Sequence, residues 1–395
     1  MNSIDLDSLI FGGGIAGLWT LLRLRQAGYR AALVETQGLG GIQTLASQGI
    51  IHGGIKYSLG GSLSDSTRAI AEMPARWRAC LQGHGELDLR RVSILTEHQY
   101  LWSAPGLMAR LGTVMAGQLL RGHTEALTGA ALPEAFRHPG CRAEVYRLDE
   151  PVLNLPSLMA ELAHQAEGHC YQLPSGDWRP LEQGLGVELV GGQQIRARCL
   201  ILAAGAGNAA LLHGFGRTLP KMQLRPLQML LARGPLPRLY GHCLGPSNLP
   251  RLTISSHEDT QGRRIWYLGG QLAEAGVRLD AAQLKQQGRA ELAATLPWLA
   301  LAQLEFAALR LDRAEPQQPD GKRPERFFAA LDEGILTLWP TKLAFAPALA
   351  DAALDLVQQS GIAPRPNKQV QEQVHLPLMP ARLAPPPWEV LDTWS

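Results

Sequence analysis

The chain has 395 residues, 37 Lys and Arg against 35 Asp and Glu, and a formal net charge of +2. That length allows two domains or one elaborated one, and the balanced charge, with no basic cluster interleaved with aromatics, gives no ground for a nucleic-acid partner. Five scattered cysteines (Cys80, Cys141, Cys170, Cys199, Cys243) without CxxC or metal-ligand spacing point to reduced structural thiols, no metal site and a cytoplasmic protein.

The first strand starts too early to leave room for a secretory signal, and no apolar run reaches the length of about 18 residues that spans a bilayer. Peripheral membrane contact stays open. The stretch from Asp7 reads as a buried strand ending at Phe11, a glycine turn, a helix running to Ala27 and stopped by Gly28, and a second strand, Arg30 to Glu35. Gly12, Gly14 and Gly17 hold the GxGxxG spacing. The first permits the tight turn, the second lets backbone N–H groups approach a pyrophosphate, and the third lets helix and strand pack closely; Glu35 sits where a carboxylate accepts from a ribose diol. Gly38 to Tyr57 is rich in glycine and small polar residues, so this segment can lie against a ligand. His52, preceded by two isoleucines and followed by two glycines, is either a hydrogen-bonded structural histidine or a functional one.

From Ser66 to Leu81 the spacing of Ile70, Met73, Trp77, Cys80 and Leu81 predicts a helix. Val92–Thr96 and Gln99–Trp102 read as strands and Gly106–Leu120 as a helix, interrupting the nucleotide-binding unit with the start of a second domain. Leu155–Gln165 is helical, a hairpin turns around Gly191-Gly192, and the buried strand Cys199–Ala203 runs into Ala204-Gly-Ala-Gly207. Such small residues fit a parallel strand end that meets a cofactor, or a simple turn. Gln228–Ala232, Arg251–Ser255 and Arg264–Leu268 predict an antiparallel sheet, followed by a helix over Ala281–Ala294. Phe306–Leu311 is a strand carrying Arg310, which if buried must be paired, by an incoming carboxylate or phosphate or by a structural partner. Arg313–Arg326, proline-rich and charged, predicts a solvated loop. Gly334–Pro347 then leads into a helix ending near Gly361, whose N-terminus favours negative charge; Lys342 beside it is either an added cation or a surface lysine. Prolines argue against a helix in the tail, where Trp388 and Trp394 are candidate anchors.

The N-terminal unit, the Ala-Ser-Gln-Gly-Ile-Ile-His52-Gly-Gly-Ile-Lys-Tyr57 stretch, the Ala203–Gly207 turn and the Leu336-Thr-Leu-Trp-Pro-Thr-Lys342-Leu motif together resemble the FAD-dependent D-amino-acid-oxidase superfamily. Within it the resemblance is nearest to glycerol-3-phosphate and L-2-hydroxyglutarate dehydrogenases. It implies an α/β protein with a discontinuous Rossmann-like FAD-binding domain (1–82, 151–220 and 325–370), a second α+β substrate domain on a mixed or antiparallel sheet (83–150 and 221–324), and a C-terminal tail (371–395). It also implies hydride transfer from a C–H bond bearing oxygen or nitrogen to flavin N5.

Carried over by position, Gly12, Gly14 and Gly17, with Ile15 and Ala16, would face the FAD pyrophosphate and Glu35 the ribose. Thr44, Ser47, Gln48, Gly49 and His52 would lie along the flavin, and Ala204, Gly205, Thr341, Lys342 and Leu343 would complete the cofactor site. His52, Lys56, Tyr57, Tyr267 and Arg310 would meet the substrate, with His52 as general base, Arg310 anchoring an anionic group and Lys342 beside the flavin. Pro340-Thr341 replaces the family's glycine pair, so the backbone approach there is expected to differ. Lys56 replaces an arginine, keeping charge but losing the planar fork, which favours a small 2-hydroxy or 2-amino acid over glycerol 3-phosphate. The expected activity is oxidation of a small 2-hydroxy acid or related polyol. An amino-acid or amine oxidase and a non-catalytic FAD-binding protein are the alternatives, and the electron acceptor, oxygen or a quinone, is left open. A single GxGxxG unit disfavours a nicotinamide enzyme. No cysteine follows Cys243, which excludes a thioether to the flavin from the closing motif but not a link through His52.

Overall fold

The computed structural model describes residues 3–53, 69–103, 124–246, 249–364 and 373–395. β1 (Ser3–Phe11), α1 (Ile15–Gln26) and β2 (Ala31–Glu35) form the expected strand–turn–helix–strand unit. β1 is central to its sheet, whose order is Phe328–Asp332, Ile335–Trp339, Gln194–Leu202, β1, β2, Cys170–Gln172. The five strands from Ile335–Trp339 onward are mutually parallel; Phe328–Asp332 closes one edge antiparallel. Alternate residues of β1 serve opposite cores, Ile10 packing with α1 and the Ala346–Gln359 helix, Leu9 and Phe11 with the other face. The predicted hairpin arm and the buried strand after it are one continuous strand, Gln194–Leu202, whose first half also pairs with Gly186–Leu189.

The second sheet has the order Glu305–Pro316, Met222–Arg233, Arg264–Gly269, Leu252–Glu258, Gly241–Leu244, Gln99–Ser103, Val145–Leu148, Thr124–Leu127. It is mixed: Gly241–Leu244 and Gln99–Ser103 run parallel, the other pairs antiparallel. The Ala281–Thr295 helix covers one face and starts with a capping box between Asp280 and Gln283. One expectation is corrected here. Arg313–Pro316 is not part of a solvated loop, because Glu305–Pro316 pairs residue for residue with Met222–Arg233 and buries Ala314, Glu315 and Pro316. The charges that suggested a loop pair across strands, Arg225 to Glu315. The predicted helix over 106–120 lies outside the described residues.

The tail spans both sheets. The Leu39 N–H donates to the Arg382 carbonyl (2.8 Å), the Ala381 N–H to that of Cys170 (3.0 Å), and Ser395 exchanges two backbone bonds with Phe306 (2.9 and 3.1 Å). Trp388 stacks on His257 at 4.4 Å, and the Arg233 guanidinium lies 4.3 Å from the Trp394 ring centre. No described helix is long and apolar enough to cross a membrane.

Candidate active site

At the carboxyl ends of β1 and Gln194–Leu202 lies a cleft of about 490 Å³ lined by Gly12, Gly14, Ile15, Ala16, Glu35, Thr44, Ala204 and Gly205 among others. Gly12 has φ 107°, and a Cβ there would stand 2.5 Å from Ala204 Cα, so both conformation and space demand glycine. Gly17 is outside this lining. A Cβ on it would meet the Gly12 carbonyl oxygen at 1.9 Å, so it seats α1 on the turn rather than facing a pyrophosphate. No side chain of the N-cap, Gly14, closes α1; Thr44 Oγ1 takes the Ile15 N–H at 3.1 Å. The remaining first-turn N–H groups have no intrahelical acceptor and make a positive site. Glu35 also holds the turn itself: one carboxylate oxygen accepts from the Gly13 N–H at 2.5 Å, the other from Thr36 and Gln37 N–H, each at 2.9 Å.

Ile15, Gln43, Thr44 and Pro340 are shared with a second cavity of about 280 Å³, between the two sheets, so the clefts form one trough. Ser47, Gln48, Gly49, His52, Thr341, Lys342 and Leu343 line this end. Among the described residues, Ser47 Oγ is buried with no hydrogen-bond partner. Gln48 donates to the Tyr267 carbonyl at 2.9 Å and ties its segment to the second sheet. Gly49 (φ 72°) presses against the Leu153 backbone. Thr341 has φ 58°, the left-handed conformation glycine adopts freely. The substitution of the glycine pair therefore leaves a glycine-like backbone at this position, held at the expense of strain in a β-branched residue. Lys342 is buried, and its Nζ donates to the Glu325 carbonyl at 3.1 Å.

His52 Nδ1 lies 3.3 Å from Glu150 Oε2. Glu150, itself buried, also accepts from the Gly53 N–H at 2.6 Å and Gln99 Nε2 at 3.1 Å. With its proton on Nδ1, the ring leaves Nε2 as its basic nitrogen. His242, in the same lining, stacks against His52 at 5.9 Å, with Nδ1 2.9 Å from Thr253 Oγ1.

Arg310 does not reach the trough. Its side chain is half exposed, with Nε 3.4 Å from Asp312 Oδ1 and Nη1 3.4 Å from the Val277 carbonyl. Side chains alternate along a strand, so Leu311, Arg313 and Glu315 turn to the cavity that Arg310 turns away from. Arg313 donates to the Arg225 carbonyl at 3.4 Å and lies 3.9 Å from Glu274 Oε1. Burial, reinforced by Arg225 and Arg323, pushes its guanidinium down to about 10, which leaves it charged at neutral pH. Tyr267 is likewise misplaced as a substrate contact: it is fully buried, donates its hydroxyl to the Ala46 carbonyl at 2.8 Å, and is held neutral by burial. Lys56 and Tyr57 lie outside the described residues. Arg313, Glu315, Glu150 and His242 are the site residues that sequence reasoning missed. Period-two counting from Leu309 and Leu311 signals the first two; nothing local signals the others.

A family model described as FAD dependent oxidoreductase (DAO) matches residues 7–294. The chain belongs to that family. This oxidoreductase is 46% identical to a probable FAD-dependent oxidoreductase, PA4991, of Pseudomonas aeruginosa, over 98% of this chain and 99% of that one. The crystal structure of PA4991 matches with a TM-score of 0.84 at 42% identity, covering 99% of both chains. D-amino acid dehydrogenase 2 of the same organism is 28% identical over 57% of this chain and 66% of its own. Glycine oxidase from Geobacillus kaustophilus shares the fold, with a TM-score of 0.65 at 18% identity over 90% of this chain and 95% of that one. The superfamily is the one the sequence resembles; D-amino acid dehydrogenase 2 and glycine oxidase are named for amino acids, and they do not bear out the nearer resemblance to glycerol-3-phosphate and L-2-hydroxyglutarate dehydrogenases.

FAD is therefore the cofactor of this oxidoreductase. The trough fits it: a glycine turn with no room for Cβ at Gly12, a helix N-terminus without a side-chain cap from Gly14, and the orphaned Ser47 Oγ all lie where a long dinucleotide needs donors, acceptors and close backbone approach.

Proposed function

We propose that this enzyme oxidises a small carboxylic acid at the carbon next to its carboxylate, breaking a C–H bond that also bears an amine or hydroxyl. The reading is carried by one observation: charged Arg313 and buried Lys342 line the same small cavity as His52. FAD, when bound, supplies the two-electron acceptor for the hydride. Arg313 binds the substrate carboxylate, and so fixes which face of the alpha carbon is presented. His52 Nε2 takes the proton from the hydroxyl or amine, while Glu150 holds the ring through Nδ1. Lys342, which lines the cavity, would add positive charge that favours a reduced, anionic flavin, and the nearby N-terminus of Ala346–Gln359 would add to it. In this reading the first sheet, with residues 1–82, 151–220 and 325–370, carries the cofactor. The second sheet, with 83–150 and 221–324, supplies the substrate wall. The enzyme works in the cytoplasm and passes its electrons to oxygen or a quinone.

Anaerobic addition of a panel of small 2-amino and 2-hydroxy acids tests this directly: at least one should bleach the flavin. Holoenzyme that no acid bleaches would leave a protein that binds FAD and turns nothing over. His52→Ala should slow bleaching by about 10²- to 10⁴-fold, the usual contribution of a general base, with FAD still bound. An unchanged rate removes His52 from the mechanism. Peroxide formed in air distinguishes oxygen from a quinone-like acceptor.

A further inference from the structure

We infer that residues 379–395 form a strap over the cofactor cleft: seated, it holds the wall made by residues 38–41, and FAD leaves only when it lifts. The inference needs FAD as cofactor and stands apart from the proposed substrate. Gly38, Gly40 and Gly41 line the cleft, and Gly40 has φ 81°. A wall so rich in glycine has little stiffness of its own. The Gly40 N–H ties it to the glycine turn at the Gly13 carbonyl (2.9 Å), and the tail supplies two more bonds. These run from the Leu39 N–H to the Arg382 carbonyl at 2.8 Å and from the Ala384 N–H to the Leu39 carbonyl at 3.1 Å. A Cβ on Gly38 or Gly41 would stand 3.2 or 3.3 Å from that of Ala384, so wall and strap are in close contact.

The two halves of the strap are held unequally. In the half against the wall, Met379, Arg382 and Leu383 are exposed, and the small Ala381 and Ala384 pack on the core. Backbone bonds at the surface with so little apolar burial behind them open at low cost. The other half is anchored on the second sheet. Trp388 is 5% exposed and stacks on His257, the Glu389 carboxylate accepts from the Thr260 N–H and Oγ1 at 2.8 and 2.9 Å, and Lys285 Nζ donates to the Thr393 carbonyl at 2.9 Å. Pro385, Pro386 and Pro387 join the halves, with Pro386 extended at φ −59° and ψ 151°. A proline run is a stiff spacer, so the anchor keeps the weak half at high effective concentration over the wall. Loosening the anchor therefore loosens the wall, although the two stand on different sheets.

The test uses holoenzyme and two readouts: the rate of FAD release on dilution, followed by the fluorescence of the freed flavin, and amide hydrogen exchange. Trp388→Ala combined with Glu389→Ala should speed both FAD release and exchange at the Leu39 and Ala384 amides by at least about tenfold, the scale of the two wall bonds. The Leu9 and Ile10 amides of β1 should keep their wild-type exchange, which separates a lifted strap from a molecule destabilised throughout. Glycine at all of positions 385, 386 and 387 keeps both seats but softens the spacer, and should act in the same direction. Val390→Ala, in the same tail with its side chain 56% exposed, should match wild type. Should the Trp388 variant fail to fold, the glycine spacer decides on the same readouts. Release or strap exchange within about twofold of wild type overturns the inference, because the anchor then does not govern the cleft. Equal acceleration at the strap and at β1 overturns it too, and leaves the tail a structural anchor.

Discussion

Arg310 and Arg313 lie three residues apart on one strand and face opposite sides of it, so chemically identical side chains have unrelated work. Arg313→Ala should weaken carboxylate binding by about 10- to 100-fold, the range for a hydrogen-bonded charged group. Arg310→Ala, which removes a half-exposed side chain, should leave Kd and KM unchanged. Equal losses in the two variants would contradict the face assignment. Thr341 makes a second residue-scale case. Its left-handed φ of 58° is strained for a β-branched residue by about 1–2 kcal/mol, and its hydroxyl donates to the Arg326 carbonyl at 3.2 Å. Thr341→Val keeps the strain and loses the bond, whereas Thr341→Gly loses the bond but relieves the strain. Thermal melts should therefore rank the glycine variant above the valine variant; the reverse order would mean the backbone there is not strained.

Among elements, the contact between α1 and its glycine turn admits the least change. A methyl group at position 17 would begin 1.9 Å from the Gly12 carbonyl oxygen, which belongs to backbone and cannot swing away. Gly17→Ala must push α1 off the turn, and the first-turn N–H groups move with it. The expected result is protein purified with little flavin, read from the ratio of visible to 280-nm absorbance, and a lower melting temperature. Full flavin occupancy in that variant would show that α1 can shift without losing its anion site. The Gly38–Gly41 segment that follows is held from outside by the tail, through the Leu39 N–H to Arg382 and the Ala384 N–H to Leu39. The trough wall thus owes part of its position to residues more than 300 places further along the chain.

At the scale of the whole molecule, two buried histidines set an acid limit. Burial alone pushes His257, stacked on Trp388, down to about 3; burial first, then Arg25 and His375, pushes His169 down to about 4. Both folded values lie below the ordinary value near 6.5, so from there downward the unfolded chain binds more protons than the folded one. Stability is therefore full above about pH 6.5 and falls as the pH drops toward 4, by about 1.4 kcal/mol per pH unit for each histidine. Urea titrations across that range should show the slope, and His257→Asn should lower it by the share of one proton; an unchanged slope would assign the acid limit to other groups. The chain by itself determined what depends on near neighbours: the glycine turn between β1 and α1, the Leu155–Gln165 helix, the start of Ala281–Thr295 at Asp280, and the stop at Gly28. Those follow from hydrogen bonds and apolar periods that close within a few residues. Only the tertiary structure decided that Glu150 stands under His52 from 98 residues away, that Tyr267 serves the core, and that Arg313 rather than Arg310 enters the trough. Each depends on strand pairing and on which sheet face meets the other sheet, and in a strand a shift of one residue exchanges inside for outside.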